Sequence, residues 1–223
     1  MDNNLYKHTK GYLAVVLDFD GVIVDSEDHW GGVENPYIKK HTSKWRDEDY
    51  GQLTGMGLSE VHKLLVTKYD FPLSEQQYFN DYEELALTLY SEVAKPIKGV
   101  EQFLEHLKAS DLKIAIASSS RPTWINIALK RHGLRGYFSR IVSSHDPDVS
   151  NGKPAPDVYV KAARELLVAT DKIIVIEDST NGIRAAKSAG TFCIGLNING
   201  QNIQDLSQAD LIVTSYDELT EFI

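Results

Sequence analysis

The chain has 223 residues, of which 42% are hydrophobic and 25% charged, a globular balance that excludes global disorder. Acidic side chains outnumber basic ones 32 to 23, for a formal net charge of -9, so no nucleic-acid or anionic-membrane partner is expected, since both need clustered Lys and Arg. Cys193 is the sole cysteine and cannot form an internal disulfide, which excludes a stapled secreted scaffold.

In chain order, Met1 to Lys10 is polar, without the apolar core of a signal peptide. No apolar run approaches the ~18 residues of a membrane span. A soluble, cytoplasmic protein is therefore expected, and separately a monomer. Tyr12 to Phe19 is a β-branched and aliphatic run that reads as a buried strand. From His29 to Ala94 no strand is predicted. Val61, Leu64 and Leu65 make one helical stripe there, and Tyr78, Tyr82, Leu85 and Leu89 another. Ser74 and Gln77 have capping-box spacing just after Pro72.

Short strand-like runs then recur at Leu112 to Ala117, Ile141 to Val142, Ile173 to Ile176, Phe192 to Leu196 and Leu211 to Val213. Helix-period segments separate most of them: Val100, Phe103, Leu104 and Leu107; Trp124, Ile127 and Ala128; Val158, Ala162 and Leu166. Gly190 closes a helix that runs from Ile183 to Ala189. Parallel strands need helical crossovers, so the predicted fold is α/β, a doubly wound parallel sheet with a small all-helical insertion after its first strand. The expected boundaries are residues 1–25 and 96–223 for the core and 26–95 for the helical domain, with Asp25-Ser26 and Lys95-Pro96 as connectors. Such an insertion would sit over the sheet's carboxyl edge, where α/β proteins bind ligands.

Four strand ends carry the chemistry. The first ends in Asp18-Phe19-Asp20-Gly21, two carboxylates followed by a glycine that lets the chain turn away. By itself that string also suits a solvated strand end. The second runs into Ser118-Ser119-Ser120, either a turn or cap, or a hydroxyl and backbone N–H for a phosphate oxygen. Lys153 lies in Gly152-Lys153-Pro154-Ala155-Pro156, where two prolines stiffen the loop around a charge that is usually solvated. The fourth ends in Glu177-Asp178-Ser179, adjacent carboxylates that are costly after an apolar run unless a cation neutralises them. Oxygen ligands without a His or Cys cluster favour Mg²⁺ over Zn²⁺. A hard cation, an ammonium and a hydroxyl suit a phosphoryl group, and Asp18 can serve as its nucleophile.

In this order, DFDGVIVDS, the ASSS strand end, GKPAP and IEDSTNG resemble the four motifs of haloacid-dehalogenase-like phosphohydrolases, over Tyr12 to Gly195. The resemblance is closest to the branch of β-phosphoglucomutase and small sugar-phosphate phosphatases, which carry a helical cap between the first two motifs. It implies a phosphoric monoester hydrolase acting on a small phosphorylated metabolite. By resemblance, Asp18 is the nucleophile and Asp20 the general acid/base. Ser118 and Lys153 hold phosphate, with the Ser119 backbone nearby. Asp178, Asp18 and the Asp20 carbonyl hold Mg²⁺, with Glu177 either a further ligand or a supporting group.

Substrate choice in this family rests with the cap. The corresponding loop, Gln52 to Glu60, lacks the arginine that the phosphomutase pattern carries near Leu58. Between Tyr69 and Ala94 there is no Lys or Arg, whereas Asp70, Glu75, Asp81, Glu83, Glu84 and Glu92 accumulate. A phosphatase is therefore expected ahead of a phosphomutase. A phosphonatase is disfavoured, because Asp20 is present and no lysine precedes Lys63 in the loop. A phospho-accepting receiver is a weaker rival, since its fold has no place for the helical insertion. His29, Trp30 and Trp45 are read as parts of the cap, Arg121 as a helix-start or phosphate group, and Cys193 as packing.

Overall fold

The computed structural model describes residues 11–53, 56–200 and 204–223. Thr54 and Gly55 of the expected specificity loop lie outside the described residues, as does the polar start. The chain divides into two compact units. One comprises the chain up to Asp25 together with Lys95–Ile223, and the other is Ser26–Ala94.

The first unit is built on six parallel strands, β1 (Ala14–Leu17), β2 (Lys113–Ser118), β3 (Arg140–Ser143), β4 (Ile173–Glu177), β5 (Phe192–Leu196) and β6 (Leu211–Val213), in the order β3-β2-β1-β4-β5-β6. This is a Rossmann-like, doubly wound order whose direction of build reverses between β1 and β4. All four residues of β1 are buried, as befits a central strand covered on both faces. Ala14, Val16, Ala115, Ala117 and Val175 pack on one face. Alternation sends Val15, Leu17, Ile116, Ile174 and Ile176 to the other, and they too are buried. The expected strand from Tyr12 to Phe19 is shorter at both ends, because the ladder closes at Leu17 and the chain then turns.

Helices α4 (Val100–Lys108), α5 (Pro122–Arg131), α6 (Asp157–Leu166), α7 (Thr180–Ser188) and α8 (Tyr216–Phe222) belong to this unit. The four periodic residues of α4 are all buried. In α5 the buried stripe is Trp124, Ile125, Ala128 and Leu129. Ile127, predicted for that face, is only half-buried, since the i, i+1, i+4, i+5 positions form the stripe. Gly190 follows α7 at φ +79°, a left-handed stop that suits glycine.

The second unit is helical: α1 (Ser26–His41), α2 (Leu58–Tyr69) and α3 (Glu75–Thr88), with a 3-10 segment Asp47–Leu53 and a π-helical turn Leu89–Val93. Ser74 caps α3 by accepting from the Gln77 N–H at 3.3 Å, while the Gln77 side chain accepts from Ser74 N at 3.2 Å. Ile38, Trp45, Leu65, Tyr69, Phe71 and Tyr78 form its core, so Trp45 is packing. Within that core Glu34 accepts hydrogen bonds from the Tyr78 hydroxyl at 3.0 Å and the Tyr50 hydroxyl at 3.1 Å. Among the described residues no helix is long and apolar enough to cross a membrane.

Candidate active site

Parallel register aligns the carboxyl ends of three strands. Leu17 lies level with Ile116 of β2 and Ile176 of β4. One residue further on, Asp18 leaves β1 beside the end of β4, its N–H donating to the Ile176 carbonyl at 2.9 Å. This is the switch point of the sheet, where open α/β folds place ligands.

Asp18, Glu177 and Asp178 each offer a carboxylate oxygen within 4.8 Å of the others. Lys153 reaches into this cluster. Its Nζ lies 2.6 Å from Asp18 Oδ1 and 2.6 Å from Glu177 Oε1, and it also donates to the Ala117 carbonyl at 3.2 Å. The lysine side chain is only 6% exposed, so the charge is positioned rather than solvated. The Lys153-Pro154 peptide is cis.

Glu177 is fully buried and saturated with donors. Tyr159 OH donates to Oε1 at 2.7 Å alongside Lys153. The Asp178 N–H, the Ser179 N–H and the Ser179 hydroxyl all donate to Oε2 at 3.0–3.1 Å. Five donors on one carboxylate fill its roughly four lone-pair sites. Burial alone would raise the Glu177 pKa, but the Lys153 ammonium and these hydrogen bonds hold it lowered. Asp18 goes the other way. Burial pushes it up to about 8, and the charges of Glu177 and Asp20 reinforce this against the opposing pull of Lys153. Asp18, Glu177 and Asp178 form an acidic cluster of oxygen donors only, a set whose chemistry suits a hard divalent cation.

Two glycines make the close approach possible. Gly21 turns the chain at φ +71°, and a Cβ there would lie 1.9 Å from Asp178 Oδ2. A Cβ at Gly182 in α7 would lie 1.8 Å from Glu177 Oε1.

Among the predicted residues, Asp18, Lys153 and Asp178 come together in this cluster. Asp20 is half-buried, and its Oδ2 accepts from Ser120 Oγ at 2.5 Å. Ser118 is buried at the end of β2, its Oγ accepting from the Ser120 N–H at 2.9 Å. Ser119 is exposed beside it. Arg121 is exposed and lies over the Trp124 ring, 5.7 Å from its centroid. Two residues of the site escaped sequence reasoning. Ser120 stands in the sequence only as the third of a serine run. Tyr159 fell on the buried stripe of α6, where a phenol needs a partner, and that was the available signal.

A family model for haloacid dehalogenase-like hydrolases matches residues 15–196. The chain belongs to the haloacid dehalogenase-like hydrolase family. A beta-phosphoglucomutase from Bacillus subtilis is 33% identical over 93% of this chain and 91% of its own length. A phosphorylated carbohydrates phosphatase from Thermotoga maritima is 29% identical over 79% of this chain and 81% of its own. The chain spans 55% of the length of a bifunctional riboflavin kinase/FMN phosphatase from Arabidopsis thaliana, at 28% identity over 96% of this chain. The crystal structure of CbbY from Rhodobacter sphaeroides in complex with phosphate superposes with a TM-score of 0.79 at 25% identity, covering 93% of this chain and 96% of that one. This haloacid dehalogenase-like hydrolase thus has named phosphatases and a phosphomutase among its relatives.

Proposed function

We propose that this chain is a Mg²⁺-dependent phosphatase that hydrolyses a small phosphomonoester, of the sugar-phosphate class, through an aspartyl phosphate on Asp18. The observation that carries the proposal is the buried Lys153 ammonium, 2.6 Å from Asp18 Oδ1 at the switch point of the sheet. An anionic phosphoryl group needs a fixed cation beside the nucleophile that attacks it. Membership of the hydrolase family and the likeness to a phosphorylated carbohydrates phosphatase support it.

In this mechanism Asp18 attacks phosphorus in line. Asp20 protonates the leaving oxygen and then takes a proton from the water that cleaves the aspartyl phosphate. Ser118, the Ser119 backbone and Lys153 bind the phosphoryl oxygens. Glu177 keeps Lys153 in place and Tyr159 keeps Glu177. Asp18, Asp178 and the Asp20 carbonyl would hold Mg²⁺, which supplies charge neutralisation at the transferring group. The helical unit, Ser26–Ala94, serves as the substrate-selecting cap. The protein acts as a cytoplasmic monomer with no nucleic-acid or membrane partner.

A phosphomutase is the second reading, favoured by the 33% identity to a beta-phosphoglucomutase. Two features weigh against it. Leu58 is packed on the apolar core of the helical unit and carries no charge for a second phosphate. His62 is engaged through Nε2 with the Leu73 carbonyl at 2.9 Å, which leaves that nitrogen unavailable to a second phosphate.

Phosphate release across a panel of phosphomonoesters tests the reading. Turnover is expected with Mg²⁺, none after chelation, and none with Ca²⁺, whose longer bonds and higher coordination misplace the reactants. Full activity after exhaustive chelation refutes the metal assignment. With β-glucose 1-phosphate, with and without a bisphosphate activator, glucose 6-phosphate forming faster than free phosphate would establish the mutase instead.

A further inference from the structure

The last helix of the chain carries no recognised motif, yet its first residue reaches the turn that follows β1. We propose that Tyr216 is a positioning residue of the active site, its buried hydroxyl holding the turn from Asp20 to Val24 against Asp178 by donating to the Val22 carbonyl. The role assigned to that turn rests on the phosphatase reading of Asp18 and Asp20.

Among the described residues, the turn's other backbone–backbone hydrogen bonds are local apart from the one that Ile97 supplies. Ile23 N and Val24 N donate to the Phe19 carbonyl at 2.8 and 3.1 Å, Gly21 N donates to the Val24 carbonyl at 2.8 Å, and Ile97 N donates to the Ile23 carbonyl at 2.9 Å. The Val22 carbonyl takes its partner from 194 residues away, the Tyr216 hydroxyl. Val22 is fully buried, so its carbonyl has no water to fall back on if the phenol is removed.

The phenol is held from several sides. Tyr216 is 2% exposed, and its ring lies 5.3 Å from that of Phe103. Gly99, at φ +96°, lets the chain pass so close that a Cβ there would lie 2.8 Å from Tyr216 Cβ. The helix start is fixed as well: Ser215 Oγ accepts from Glu218 N at 3.3 Å, and the Glu218 carboxylate accepts from Thr214 N at 3.0 Å and Thr214 Oγ1 at 2.7 Å. At Gly21 the turn meets Asp178, which occupies the space where a Gly21 Cβ would be. The turn thus touches the phenol at Val22 and the Asp178 carboxylate at Gly21. Any shift in it moves Asp20 relative to Asp178, and displacements of about an ångström near reacting groups can cost ~10²-fold in rate.

A residue that merely fills the core would be replaced without loss by phenylalanine, whose ring is the same. Tyr216→Phe therefore isolates the hydroxyl. The test measures amide hydrogen exchange and steady-state kinetics on the best phosphomonoester from the panel, for native protein and variant. The expected result is faster exchange at Gly21, Ile23 and Val24 with β2 and α6 unchanged, and kcat lowered ~3–10-fold with KM within about twofold, the scale of one hydrogen bond. Unchanged kcat with unchanged turn exchange overturns the proposal, and so does faster exchange spread evenly over all strands. If native protein turns over no phosphomonoester, the phosphatase reading fails on its own. The exchange data then decide Tyr216, with selective loosening supporting the role and its absence overturning it.

Discussion

Gly21 and Asp178 are so closely apposed that a Cβ on residue 21 would fall 1.9 Å from Asp178 Oδ2. Gly21 also sits at φ +71°, where an L side chain costs ~1–2 kcal/mol. Gly21→Ala is expected to lower stability by about that amount and to cut kcat by ~10² or more, since Asp178 or the turn must yield. Denaturant midpoints and phosphate release measured on the same preparation check this. Retained activity would mean that the turn tolerates displacement.

The spacing of Asp18 and Asp20 puts only the first at the strand end beside Lys153. Asp18→Asn should abolish turnover and covalent labelling by a phosphoryl donor, while Asp20→Asn should keep the fold and lose ~10²–10⁴-fold in rate through lost proton transfer. Rapid-quench labelling separates the two. Near-normal turnover in the Asp18 variant would overturn the mechanism.

Lys153 is the ammonium shared by Asp18 and Glu177, and both carboxylates are buried. Lys153→Met takes away the ammonium between them while Glu177 keeps its Tyr159 and Ser179 donors, a loss of ~3–5 kcal/mol by the usual cost of breaking a buried pair. The sign with pH follows from Glu177, whose pKa is lowered in the folded protein. Its contribution is present above the unfolded value near 4.5 and is lost as pH falls through the folded value. The gap between native and variant should therefore narrow towards low pH in urea melts from pH 8 to pH 3. A constant gap would show that the pairing is not the source.

Glu34 lies in the helical unit, and burial raises its pKa despite the hydrogen bonds from Tyr78 and Tyr50. A carboxyl with a raised folded pKa contributes stability that is complete below its unfolded value near 4.5 and is lost as pH climbs through the folded value. Glu34→Gln cannot ionise and keeps an acceptor for a tyrosine hydroxyl. Relative to native protein it should gain stability as pH rises from 4 to 8. Chemical denaturation followed by fluorescence in a Trp124→Phe background, which leaves Trp30 and Trp45 as reporters of this unit, checks this, and parallel pH profiles would refute the assignment.

The sequence alone determined the alternation of strands and helices, because burial period and helix stops are local properties of the chain. The buried stripe of α4, the Ser74–Gln77 cap and the apolar run of β1 were legible for that reason. Motif strings also placed Asp18, Asp20 and Asp178 at strand ends and Lys153 in a loop. Only the tertiary structure decided which groups meet. The strand order β3-β2-β1-β4-β5-β6 sets Asp18 beside Glu177, residues far apart in sequence whose proximity no local periodicity encodes. Ser120 on Asp20, Tyr159 on Glu177 and Tyr216 on Val22 are likewise long-range pairings. Each is a hydroxyl whose partner is chosen by packing, since a buried donor must be satisfied by whatever acceptor the fold brings within reach.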